Sequence, residues 1–135
     1  MNLPIRLGAP AAPALNATVV LFDSTVTFGK MGLRMNGIHR VLFSFPGLNQ
    51  ASAASGLKGY KSPDGGANWY PATFAPAGDP NALPLTIAAD TGSDSDEVDI
   101  DVSGDDDVKF TFTAGTAPTV WGPVITLEGK RVSGV

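Results

Sequence analysis

Marked only as apolar or polar, the chain alternates with period two over several short runs. It never holds the i, i+3, i+4, i+7 spacing of a helix for even three turns. In VDIDV (98–102), Val98, Ile100 and Val102 fall on one side and Asp99 and Asp101 on the other. VKFTFTA (108–114) repeats the pattern, with Val108, Phe110 and Phe112 set against Lys109, Thr111 and Thr113. Such alternation marks antiparallel strands with one buried and one wet face, and the two runs are predicted to form a hairpin. ATVVLF (17–22) and STVTF (24–28) are rich in β-branched residues and meet at Asp23, which predicts two more strands. Asn36-Gly37 suits a type I′ turn, so strands are expected at about 31–35 and 38–45 on either side of it. Further strands are expected at 57–62, 68–74, 85–89 and within 120–132, about nine in all at the spacing of a sandwich or barrel.

Composition supports the same class. A chain of 135 residues with 16 glycines and 11 prolines scattered between short apolar runs has many turns and room for one core. The expected fold is all-β: a single antiparallel β-sandwich over 17–135, jelly-roll-like or β-tulip-like, preceded by an extended N-terminal arm over 1–16. In the arm, Pro10 and Pro13 favour an extended path, and Leu3, Ile5 and Leu7 alternate. With Arg6 and Leu15 they make the arm a candidate partner-binding segment. The absence of cysteine excludes disulfides, thiolate metal sites and a thiol nucleophile. The N-terminus has no continuous apolar stretch, so neither a signal peptide nor a membrane span is expected, and no membrane partner.

Charge narrows the picture further. The net charge of −4 conceals a run from 90 to 107 with nine acidic groups and no basic one. Lys30, Arg34 and Arg40 are the nearest thing to a basic cluster, so no nucleic-acid partner is expected. Within the acidic run, Asp94, Asp96, Asp99 and Asp101 could offer oxygens to calcium, but their spacing is not that of an EF-hand loop. The run reads better as a charged sheet edge, with Asp105, Asp106 and Asp107 facing a basic patch on a partner. No cofactor or metal is assigned.

The most patterned stretch is YKSPDGGANWYP (60–71). Ser62, Asp64, Gly66 and Trp69 match the Asp-box pattern S-x-D-x-G-x-x-W, and the eight residues resemble the single turns repeated in sialidases and other β-propellers. Pro63 suits the first turn position, Gly65 and Gly66 tolerate positive φ, and Asp64 can accept backbone N–H groups, so the segment predicts a structural hairpin. Tyr60, Trp69, Tyr70 and Trp121 could stack on sugars, although alternation sends Trp69 and Tyr70 to opposite faces. His39, the one histidine, has no nucleophile motif around it, and no catalytic residues are assigned.

In its short cysteine-free β body, and in SPDGGANWYP and VDIDVSGDDDVKFTFTAG, the chain resembles the small virion proteins of tailed bacteriophages, above all capsid decoration (cement) proteins. The resemblance implies a non-enzymatic structural protein located on the virion and made in the host cytoplasm. Such a protein binds the major capsid protein or other virion subunits and forms a homo-oligomer on the particle. It also implies an arm that contacts the lattice, so deleting residues 2–14 is expected to leave the body folded and abolish assembly binding. A tail or baseplate component, or a carbohydrate-binding sandwich with calcium at the acidic run, are the alternatives.

Overall fold

A computed structural model describes residues 5–8, 10–12, 14, 17–46, 55–72, 85–87, 95–102, 105–115 and 121–129. Its elements are Ile5–Leu7 (β1), Thr18–Asp23 (β2), Ser24–Phe28 (α1), Gly32–Met35 (α2), Ile38–Pro46 (β3), Ser55–Lys61 (β4), Tyr70–Ala72 (β5), Leu85–Ile87 (β6), Ser95–Asp101 (β7), Val108–Thr113 (β8) and Val124–Gly129 (β9). The strands form two sheets, one in the order β1-β9-β3-β7 and one in the order β2-β8-β4-β5, with β6 also on β4. Every pairing is antiparallel.

The two sheets are held face to face by the residues that alternation points inward. Val41, Phe43, Phe45, Ile100, Ile125 and Leu127 of the first sheet meet Leu21, Phe22, Leu57, Phe110 and Phe112 of the second in one buried cluster. Phe43 packs edge-on against Phe110 with ring centroids 5.1 Å apart, and Phe45 lies 5.4 Å from Phe112, so aromatic pairs cross the interlayer space. Each fully buried side chain of this size contributes about 1.5–3 kcal/mol relative to exposure. The protein is an all-β sandwich, as its patterning predicts.

Several expectations need correction. VDIDV and VKFTFTA are both strands, but they are not a hairpin. β7 pairs with β3 in the first sheet, from Arg40↔Asp101 to Pro46↔Ser95, while β8 lies between β2 and β4 in the second. The chain changes sheets between them, anchored by Val102, which is buried and donates its N–H to the carbonyl of His39 at 2.9 Å. Alternation fixes which face of each strand is buried. It does not say which layer covers that face, and two strands in opposite layers satisfy it as well as two neighbours.

STVTF and the strand expected at 31–35 are instead short helices. Asp23 caps α1, its carboxylate accepting the Thr25 N–H at 2.9 Å and the Thr25 hydroxyl at 2.6 Å, and Gly29, at φ 84°, closes it. Asn36-Gly37 closes α2 rather than a hairpin: the Asn36 amide donates to the Gly32 carbonyl at 2.9 Å, and Gly37 takes φ 67°. An Asp cap and a glycine stop are helix-end signals that outweigh β-branched propensity over so few residues. Gly32 lets the two helices touch, because a Cβ there would collide with the Cβ of Phe28.

The start of the arm pairs within the chain. Ile5–Leu7 pairs with β9, from Ile5↔Leu127 to Leu7↔Ile125, and is an edge strand of the first sheet. Ile5 and Leu7 are half-buried against the core. Farther along, the Pro10 carbonyl accepts the Trp121 indole N–H at 2.8 Å. The apolar alternation of the arm is therefore answered by the chain's own sandwich.

Candidate functional site

Two regions of the surface stand out. One is an end of the sandwich, where α1, α2, the turn after β4 and the segment before β8 converge. Asp107 is its centre, buried at 2 % exposure. Its carboxylate accepts the Met31 N–H at 3.0 and 3.2 Å and the Ser24 hydroxyl at 3.4 Å. Ser24, also buried, in turn accepts the Val108 N–H at 2.9 Å, and the Asp107 carbonyl accepts the Ser62 N–H at 3.2 Å. Met31 stands at φ 58°, a left-handed conformation unusual for a side chain of its size, and the bond to Asp107 is what holds its amide there. Flanking this buried knot, Asp106 pairs with Arg34 at 3.1 Å and Asp105 with Lys61 at 3.0 Å. The basic groups that face Asp105 and Asp106 thus belong to the same chain.

The Asp-box-like segment forms the rim of this end. Lys61 pairs with Tyr70 across β4 and β5, which makes 62–69 the hairpin turn that its sequence predicts. Ser62 is buried, donates its hydroxyl to Asp64 at 2.7 Å and accepts the Gly66 N–H at 2.8 Å. Asp64 accepts both the Asn68 N–H at 2.8 Å and the Asn68 side-chain amide at 2.6 Å. The Asn68 side chain foremost, then its backbone N–H and the Ser62 hydroxyl, hold the Asp64 carboxyl at about 2, below its ordinary 3.8. Gly65 and Gly66 have φ of 71° and 96°. They also give space to α1 and its neighbourhood, for a Cβ at Gly65 would meet Lys30 Cδ at 2.6 Å and one at Gly66 would meet Thr25 at 3.2 Å. The turn is therefore a docking piece as well as a hairpin.

The aromatic candidates divide. The Lys109 ammonium sits over the Trp69 ring at 4.7 Å and over Tyr60 at 5.4 Å, so these two rings already hold a cation. Tyr70 is 56 % exposed. Trp121 is half-buried, 5.4 Å from Phe112, and bound through its indole to Pro10. No single face presents all four.

Of the calcium candidates, Asp96 and Asp99 occupy β7 opposite Phe45 and Leu42, and Asp101 lies opposite Arg40, while Asp94 lies outside the described residues. Among the described residues no group of three His, Asp or Glu side chains is placed to hold a metal ion. Leu3 and Leu15 also lie outside the described residues, and Arg6 is exposed on β1 opposite Thr126. No helix among the described residues is long and apolar enough to cross a membrane.

The second region is an open groove of about 490 Å³ lined by Leu7, Gly8, Val20, Leu21, Phe22, Asp23, Val26 and Thr27. It lies between β1 and β2, the terminal strands of their respective sheets. A β-bulge between Val20 and Phe22 sends Leu21 and Phe22 inward together and leaves Val20 outside at 47 % exposure. Val26 on α1 is 82 % exposed, and Met31 and Met35 elsewhere in the helical insert are 42 % and 76 % exposed. Sequence reasoning does not find this groove, because it is made by the approach of two edges that are far from obvious as neighbours. The consecutive apolar residues of VVLF, too many for strict alternation, are the one signal of it. Comparison of the chain with family models, with curated proteins and with solved structures finds no match.

Proposed function

We propose that this protein is a structural subunit that binds an assembled protein shell and stabilises it by bridging neighbouring subunits, as a phage capsid decoration protein does. The observation that carries this reading is the contrast in how charge and apolar surface are used. Asp105, Asp106 and Asp107 are committed to holding the fold, while large apolar side chains at Val20, Val26, Met31 and Met35 stay outside. Val20 and Val26 border one groove, and contiguous apolar area of this kind marks a surface made to be covered. A subunit that binds only the assembled lattice stabilises it by mass action, without needing a reaction centre.

The resemblance of SPDGGANWYP and VDIDVSGDDDVKFTFTAG to small virion proteins supports the same class and favours the capsid over the tail. A carbohydrate-binding role draws less support, since Lys109 covers Tyr60 and Trp69 and Trp121 is turned to the body.

Density-gradient fractionation of source material tests the proposal. The polypeptide is expected to band with particles, in fixed ratio to the shell protein, and to remain bound in EDTA and in free sugars. A polypeptide found only free of particles, or a Tm raised several degrees by Ca²⁺ or an oligosaccharide, overturns it. Truncation of 2–14 is not the clean test that an independent arm would give, because it removes β1 from the first sheet.

A further inference from the structure

The terminal strands of the two sheets are not equally protected against pairing. β7 carries Asp96, Glu97, Asp99 and Asp101, so a second β7 beside it would set carboxylates against carboxylates. β5 is three residues long and contains Pro71, which has no N–H to offer an incoming strand. β1 is three residues long with Arg6 exposed at its centre. β6, which pairs with β4 alone, is also only three residues long. β2 differs from all of these. TVVLFD has no lysine, no arginine and no proline, and its one charge, Asp23, stands at its end. The bulge at Leu21 interrupts its later part and leaves Thr18–Val20 as a regular stretch with no second strand beside it among the described residues.

From this edge we infer that β2 pairs antiparallel with β2 of a second copy, giving a two-fold dimer that joins the two second sheets into one. The charges favour this occupant. The charged residues of β1 and β2 themselves are Arg6 and Asp23, one of each sign, whereas the chain as a whole is at −4 and its acidic β7 lies at the other end of the first sheet. Two copies meeting on this side avoid the repulsion that any contact through β7 would incur. In an antiparallel pairing about Val19, Thr18 faces the partner's Val20 and the Asp23 carboxylates lie at opposite ends. Such an arrangement is self-complementary, as an isologous interface requires. Val20 and Val26 leave water, and the mouth of the groove between β1 and β2 is covered.

The inference deepens the assembly reading but is tested without any shell, so the two can fail separately. Sedimentation equilibrium of the full chain, from about 1 to about 100 µM, brackets the weak association expected of a small edge-to-edge interface. A concentration-dependent dimer is expected. Val20→Lys and Val20→Glu, at a position already half exposed, should each weaken it at least tenfold, because two like charges then lie diagonally across the two-fold axis, about 7–8 Å apart, in place of two apolar side chains. An equimolar mixture of the two variants should restore association as a heterodimer, an effect that loss of folding cannot imitate. Met35→Lys, on the helical insert, should leave the dimer intact. A monomer at every concentration, or a mixture no tighter than its components, overturns the inference.

Discussion

The end of the sandwich built around Asp107 and the side formed by β1 and β2 use opposite chemistries. At the end, a carboxylate is buried and its hydrogen bonds are supplied by Met31 and Ser24, so charge faces inward. At the side, Val20 and Val26 face solvent around an apolar groove, so hydrophobic surface faces outward. Taken from the sequence, the acidic run is an outward edge and the apolar arm a candidate partner-binding segment. In the structure Asp107 faces inward, and Ile5–Leu7 pairs with β9 of its own chain. A charged or apolar residue states that it must be satisfied. It does not state whether its own chain or another molecule will do it.

The sharpest way to break the contrast is to remove Asp107. Asp107→Ala would leave the Met31 N–H and the Ser24 hydroxyl without their acceptor in a buried place, at a cost of about 2–4 kcal/mol in urea denaturation. Asp107→Asn keeps a carbonyl oxygen and should cost roughly half as much, about 1–2 kcal/mol. Amide exchange should locate the damage at Met31 and the insert 24–37 rather than in β3 or β9. Global unfolding with equal loss of protection throughout would mean that the end is no separate unit. Gly32→Ala attacks the same region by crowding Phe28, and overpacking of this kind costs about 1–3 kcal/mol.

The other region is tested through β1. Ile5→Ala with Leu7→Ala removes two half-buried side chains and should destabilise the chain by about 2 kcal/mol, read from the same urea curves. An arm that belonged to a partner instead would show no loss of stability in the isolated protein. The ion pairs at the rim are weaker still. Lys61→Ala and Arg34→Ala should each change stability by less than about 1 kcal/mol, since both cations are about half exposed to water.

These outcomes also mark what could be read in advance. The inward residues of β7 and β8 were legible because period-two alternation is a local property, and Ile100, Val102, Val108, Phe110 and Phe112 are buried as it predicts, although Thr111, expected on the wet face of β8, is buried too. The 62–69 turn was legible because Pro63, Asp64, Gly65 and Gly66 each have a conformational reason to be there. Pairing across layers was not, since neither β7 nor β8 records whether its neighbour lies beside it or in the other sheet. The first helix was hidden by the β-branched STVTF, although Asp23 and Gly29 mark its limits, and the second by Asn36-Gly37, which reads as a hairpin turn. The knot at Asp107 depends on Met31 and Ser24 arriving from 76 and 83 residues away, and no local pattern encodes that. The groove was hidden for the same reason.

The smallest effect, and the most specific, belongs to Asp64 at the exposed rim of the closed end. Its carboxyl is held at about 2 by bonds that form only in the folded turn, chiefly those from Asn68. A group depressed in the folded state stabilises the fold above its ordinary value of 3.8, and that contribution fades as pH falls through about 2. Because Asp64 is open to water, the event should be confined to the turn, with the sandwich still folded. The amide resonances of Gly66 and Asn68 should therefore titrate together with a midpoint near 2, while those of β3 and β9 stay in place. Asn68→Ala removes the largest of the stabilising bonds and leaves the backbone and Ser62 donors, so its midpoint should rise part of the way toward 3.8. A wild-type midpoint already at 3.8 would mean that the turn is not locked and that Ser62 and Asp64 do not hold the rim against α1.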